Sequence, residues 1–137
     1  MLLTSLTRKQ KLKFLDLAIH IVSVDGEATA YETRILNMML AEVGDDVNKE
    51  YTFSLSSDLD ETLDFFKEQP KTIRNIVLLN LLKLSLFDDL YNTTEHFLLD
   101  HIRRTLKISI AKRRELIALL YEERDLIEKA RRVCITL

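Results

Sequence analysis

The chain has 137 residues, of which 47% are hydrophobic and 31% are charged, and its formal net charge is −2. These values are typical of one soluble globular domain, which we expect to span residues 1–137. Two Gly and one Pro are too few for a turn-rich fold, so the composition predicts an all-α protein.

The first two predicted helices begin at threonines with capping signals. Thr7 is followed three residues later by Gln, the form of a capping box, and an apolar helical pattern runs from there to about Val24. Gly26 then permits the positive φ that ends a helix at low cost. Thr29 starts a second capping box, and its helix is expected to run to Gly44.

Residues 44–57 are predicted to be a loop, because turn-forming residues are followed by an alternating apolar and polar segment. We expect an extended strap that covers three apolar side chains: Tyr51, Phe53 and Leu55. A short helix should follow from Ser57 or Asp58 to Lys67, with acidic residues in its first turn where the helix dipole favours them.

Three more helices complete the predicted bundle. Their expected bounds are Pro70 to about Asp88, Asn92 or Thr93 to Lys107, and Ser109 to about Arg132. The sequence therefore predicts a compact bundle of about six to seven helices.

An acidic spacing occurs twice in the chain. Asp25 and Glu32 are repeated 63 residues later as Asp88 and Glu95, and each copy ends one apolar helix and begins the next. A Thr or Asn with capping ability stands three residues before each Glu. This pattern predicts an internal duplication, in which two helix-loop-helix units pack about an approximate two-fold axis.

The repeated acids have two interpretations. Each glutamate could complete a capping box, and each aspartate could make a local turn or pair with His20 or one of three arginines: Arg34, Arg74 and Arg103. Alternatively, because all four acids continue apolar stripes, they could be buried together and require a cation. Carboxylate oxygens suit Ca²⁺ or Mg²⁺ better than Zn²⁺, since no Cys/His cluster is present.

The same pattern resembles the TerB-like family of tellurite-resistance-associated domains. The resemblance covers residues 7 to 107 and, by helix count, extends to the whole chain. It implies an all-helical fold and a divalent-cation site at four positions: Asp25, Glu32, Asp88 and Glu95. The second copy departs from the pattern, because Asp89 and Leu90 replace the Gly26 and Glu27 of the first.

Charge is unevenly distributed along the chain. Residues 42–68 carry nine acids and two lysines, whereas residues 101–137 carry ten Lys or Arg and five acids. Such segregation could direct a protein partner or self-association. Nucleic-acid binding is not expected, because the basic residues of the last helix are interleaved with acids and lack an aromatic platform.

Neither a membrane nor an oxidising compartment is indicated. The single cysteine, Cys134, cannot form an internal disulfide. The first residues lack the apolar stretch of a signal peptide, and the most apolar segment, Ile73 to Phe87, is shorter than the about 20 residues that span a bilayer. We therefore expect a cytoplasmic protein without a membrane partner.

The leading functional hypothesis is a non-enzymatic binding module that holds a divalent cation and contacts a protein partner. The alternative is a metal-free interaction or oligomerisation domain, whose contact surface would be the acidic segment 42–68 or the basic last helix. A metal-dependent hydrolase is the least favoured class, because no nucleophile motif and no phosphate loop is present. No catalytic residue is predicted.

Overall fold

The computed structural model describes residues 1–24, 26–51, 58–88 and 92–135. Within these ranges the chain is all-helical, as predicted, with a short 3₁₀ turn at Leu3–Ser5 and seven α-helices. The helices are α1 Arg8–Ser23, α2 Ala30–Val43, α3 Asp45–Glu50, α4 Leu59–Lys67, α5 Lys71–Ser85, α6 Thr93–Thr105 and α7 Ile110–Ile135.

The predicted caps define where most helices begin. Thr7 and Thr29 each form a complete capping box, in which side chain and backbone bond reciprocally with the residue three positions on. Asp58 caps α4 and Asn92 caps α6 through their side chains. At α7 the Ser109 hydroxyl accepts a hydrogen bond from Lys112 N at 3.0 Å. These starts are local events, which explains why the sequence predicts them.

The helix α5 forms the centre of the bundle and packs against α1, α2, α6 and α7. It is buried on nearly all sides from Ile76 to Leu82, within the most apolar segment of the sequence. The buried polar residue Asn80 donates hydrogen bonds to the carbonyl oxygens of Met1 and Ile76, both at 2.8 Å. These bonds satisfy the amide in an apolar environment.

The predicted loop over residues 44–57 is wrong in its first part. Residues Asp45–Glu50 form α3, which starts with two acidic residues and buries Val47 in the core. Burial of Val47 and the favourable dipole position of the acids outweigh the turn-forming composition. Tyr51 is extended and half-buried, as expected, while Phe53 and Leu55 lie outside the described residues.

The last helix, α7, extends three residues beyond its predicted end at Arg132. Its middle is fixed to the body by an ion pair between Lys83 and Glu123, at 2.9 Å. In the described chain, Leu120 is its only buried residue, so most of its surface faces solvent. Among the described helices, none combines the length and apolarity that crossing a bilayer requires.

Candidate functional site

The N-terminus of α2 contains the first acidic residue of the candidate site that the structure describes. Thr29 Oγ1 accepts a hydrogen bond from Glu32 N, and Thr29 N donates to Glu32 Oε1, both at 3.0 Å. Glu32 is only 2% exposed. The predicted capping interpretation is therefore confirmed for Glu32, and the carboxyl group is buried at the same time.

Asp88 lies just after α5, in the second copy of the repeated spacing, and is 9% exposed. Its backbone N donates to Ser85 O at 3.1 Å, which continues the turn at the end of the helix. The Thr29 hydroxyl donates a hydrogen bond to Asp88 Oδ2 at 2.7 Å. This distance is normal for an O–H···O hydrogen bond with good geometry. The first and second copies of the spacing are thus joined at Thr29.

This junction, which we call the acidic corner, consists of Thr29, Glu32 and Asp88. A second contact holds the same two helices together, because the Tyr31 hydroxyl donates to Lys83 O at 2.9 Å. The Lys83 carbonyl belongs to the last turn of α5, where backbone acceptors lack helical partners. Burial raises the pKa of Tyr31, so the phenol stays protonated and able to donate.

Glu95 lies in the first turn of α6, as Glu32 lies in the first turn of α2. Its backbone N donates to Asn92 Oδ1 at 3.1 Å, and the residue is 1% exposed. The predicted cap by Asn92 and the predicted burial of both glutamates are confirmed. Like Glu32, Glu95 places a carboxyl group in the interior at the first turn of a helix.

Asp25, the fourth predicted ligand, lies outside the described residues, as do Asp89 and Leu90 of the second copy. The neighbouring Gly26 has φ +115°, and a Cβ built there would meet nothing within 4 Å. The expected positive φ is therefore confirmed. A side chain at this position would be strained by the backbone, not by crowding.

Two arginines suggested as partners for the repeated acids bind elsewhere. Arg74 donates from Nη1 to Leu106 O at 2.7 Å, and Arg103 donates from Nη1 to Ile108 O at 2.8 Å. Arg103 also forms an ion pair with Asp100 at 3.0 Å. These contacts brace the turn between α6 and α7.

The described residues contain no group of three His, Cys, Asp or Glu side chains close enough to hold a metal ion. Completing a cation site at the acidic corner would therefore require Asp25, backbone carbonyls or water. The one cysteine, Cys134, is exposed near the end of α7.

Two surface pockets of the described chain are lined by residues other than the buried acids. A groove of about 410 Å³ between α2, α5 and α7 is lined by residues such as Tyr31, Met38 and Ile127. A smaller pocket of about 160 Å³ is lined by Lys71, Lys107 and their neighbours. Neither includes Glu32, Asp88 or Glu95, so neither provides a substrate cavity over those three carboxylates.

Sequence reasoning identified the residues of the acidic corner but missed the bond that joins them. Thr29 was assigned only to its own helix, whereas its hydroxyl also binds Asp88, 59 residues away. The signal for such a bond is a hydroxyl cap in one copy of the repeated spacing and a buried acid in the other.

Searches of protein-family models, curated proteins and solved structures find no match to this chain.

Proposed function

We propose that this chain is a non-enzymatic helical binding module that holds a divalent cation at the acidic corner. The supporting observation is that Thr29 contacts two buried carboxyl groups, one from each copy of the repeated spacing: its N donates to Glu32 Oε1 and its hydroxyl donates to Asp88 Oδ2. Asp25 is proposed as a third ligand. Glu95, the fourth position that the resemblance to TerB-like domains implies, does not form a metal-holding group with Glu32 and Asp88 in the described residues and is not assigned to this ion.

The physical reason for a cation is electrostatic. Carboxylates in a low-dielectric interior repel one another and lose hydration, and both effects are relieved by a divalent ion. Oxygen ligands of this kind favour Ca²⁺ or Mg²⁺. Because Glu32 lies in the first turn of α2 and Asp88 follows α5, a bound ion would hold the two helices together. The proposed contribution of the ion is structural and no catalytic step is assigned to it.

Amide variants separate cation binding from capping. Glu32→Gln keeps an acceptor oxygen for Thr29 N, since Gln serves as well as Glu in a capping box. Asp88→Asn likewise keeps an oxygen that can accept from the Thr29 hydroxyl. Both variants should fold, yet both remove one negative charge from the proposed site.

The test is calorimetric titration of the full chain with Ca²⁺, Mg²⁺ and Mn²⁺. We expect a millimolar or tighter site for at least one ion, and a loss of about tenfold or more in affinity in each amide variant. Asp64→Asn, which removes an exposed acid on α4, is the control and should leave affinity unchanged. Equal affinity in all four proteins would reject the acidic corner as the site.

A protein-interaction function is supported by a different observation. Beyond its anchored middle, α7 exposes apolar side chains that a monomer normally buries: Leu126 at 66%, Ile127 at 46%, Val133 at 67% and Ile135 at 76%. Leu119, Leu126 and Val133 are spaced by seven residues, so they share one side of the helix. This side is the proposed contact surface.

The proposed partner is a second copy of the chain. Residues 122–128 carry four acids and one arginine, whereas residues 129–135 carry three basic residues and no acid. Antiparallel pairing of two α7 helices would place the acidic half of each against the basic half of the other. A cytoplasmic setting, where the exposed Cys134 would stay reduced, is part of this proposal.

Sedimentation velocity tests the pairing. We expect a dimer at low ionic strength that weakens in high salt, and Leu126→Lys should abolish it. Phe97→Lys is a matched control, because Phe97 on α6 is also exposed, at 65%. A monomer at all protein concentrations, or equal disruption by both variants, would reject self-association through α7 and would leave the cation proposal unaffected.

A further inference from the structure

A small pocket lined by basic side chains lies between the first turn of α5 and the α6–α7 turn. Its volume is about 160 Å³, room for several water molecules at about 30 Å³ each. Four of its lining side chains are cationic: Lys71, Arg74, Lys107 and Lys112. Among the residues that the structure describes, its lining includes no acidic side chain and shares no member with the acidic corner. We call it the basic pocket.

The first turns of two helices add to the positive potential of the basic pocket. Lys71 is the first residue of α5, and Ser109 immediately precedes α7. Backbone N–H groups at helix starts carry partial positive charge. The starts of α2, α4 and α6 offset this charge with acidic residues, whereas α5 and α7, like α1, have none in their first turns. Within the described part of the chain, one lining side chain forms an ion pair: Lys112 binds Glu115, whose side chain is 68% exposed.

Arg74, which lines the basic pocket, is held in place by two hydrogen bonds to backbone carbonyl groups. Its Nε donates to Gln69 O at 3.0 Å and its Nη1 donates to Leu106 O at 2.7 Å. The guanidinium group is therefore fixed between the start of α5 and the end of α6. These bonds also engage carbonyl oxygens that would otherwise repel an anion. The cationic group is thus positioned before any ligand arrives.

Lys107 occupies a backbone position that normally selects glycine. Lys107 N donates to Arg104 O at 3.0 Å and Ile108 N donates to Arg103 O at 3.1 Å, the two bonds of a Schellman motif at the end of α6. The residue at this position has φ +58°, in the left-handed region that disfavours side chains. A lysine is therefore held at the edge of the basic pocket despite an unfavourable backbone conformation.

We propose that the basic pocket binds a phosphate group, either free or carried by a small organic molecule. Tetrahedral oxyanions match this arrangement, because lysine ammonium groups act as mobile point charges and helix starts supply backbone donors. The amide of Asn75 and the hydroxyl of Ser109 are further donors in the lining. The cavity is too small to enclose a macromolecule, so the ligand is a phosphate group and not a protein surface.

The test is titration of the full chain with inorganic phosphate and with glycerol phosphate at constant ionic strength, followed by calorimetry. We expect millimolar or tighter binding of at least one of them, and the tighter arm identifies whether the ligand is free phosphate or a monoester. Lys71→Ala should reduce the affinity about tenfold, since it removes one charge-assisted hydrogen bond. Lys49→Ala, which removes an exposed lysine on α3, should leave the affinity unchanged.

Lys107→Gly makes the test specific. This variant relieves the left-handed backbone, so the phosphate-free protein should melt about 3 °C higher, while phosphate affinity should fall about tenfold. A merely structural role for Lys107 would raise the melting temperature without changing the affinity. The proposal is overturned if neither ligand binds at millimolar concentration, or if Lys71→Ala and Lys107→Gly bind as tightly as Lys49→Ala.

Discussion

Replacing Thr29 with alanine should destabilise the protein much more than removing an ordinary helix cap. The change removes the cap of Glu32 N, which is worth about 1 kcal/mol. It also removes the hydroxyl donor to Asp88, and a hydrogen bond to a charged group contributes about 1.5–3 kcal/mol. The two losses sum to about 2.5–4 kcal/mol, because Asp88 is left buried without this donor.

The chain provides a matched control in Thr7. Its hydroxyl accepts from Gln10 N at 3.2 Å in a capping box of the same form, so Thr7→Ala should cost about 1 kcal/mol. Urea unfolding monitored by circular dichroism measures both variants. Thr29→Ser, which keeps the hydroxyl, should recover most of the loss. If Thr29→Ala is no more destabilising than Thr7→Ala, the bond to Asp88 does not contribute to holding α2 against the end of α5.

Three further outcomes are expected from the structure. Tyr31→Phe should lower the free energy of unfolding by about 1 kcal/mol in urea, because it leaves Lys83 O without its phenol donor; no loss would contradict this bond. Phe66→Ala should cost about 3–5 kcal/mol by the same assay, since Phe66 is fully buried, and a loss below about 1 kcal/mol would refute its place in the core. The hydrogen bond from Arg103 lowers the pKa of Asp100 from its ordinary value of 3.8. The stabilisation from the ionised Asp100 carboxylate is therefore present above pH 3.8 and is lost as the pH falls through the lowered pKa. The urea midpoint of the wild-type protein should be higher than that of Asp100→Asn at neutral pH, and this difference should disappear in strong acid.

The predictions that succeeded depend on short stretches of chain. Helix starts at Thr7, Thr29, Asn92 and Ser109 follow from a side chain that binds a backbone N–H three residues away. Apolar periodicity likewise predicted the burial of Glu32 and Glu95, because each heads the core-facing stripe of its helix. These features need no knowledge of distant contacts.

The predictions that failed or fell short depend on tertiary contacts. Residues Asp45–Glu50 have a turn-forming composition, and burial of Val47 determines that they form a helix. The sequence contains no helix-stop signal near Arg132, because neither Gly nor Pro is present there. It therefore could not predict that α7 continues to Ile135. The Thr29–Asp88 bond joins residues 59 positions apart, and a single sequence does not show which distant residues come into contact. The two-fold relation between the copies stays a prediction.

The cation proposal is tested most directly by the melting temperature of the chain in calcium, magnesium or manganese, compared with a chelator. A ligand at a hundred times its dissociation constant adds about 2.7 kcal/mol of stability, which corresponds to a rise of about 10 °C for a domain of this size. We expect such a rise in the wild-type chain. The rise should be lost in Glu32→Gln and Asp88→Asn, both of which keep the Thr29 cap of α2. No rise in wild type with any of the three ions, or an equal rise in both variants, would contradict a cation held at the acidic corner.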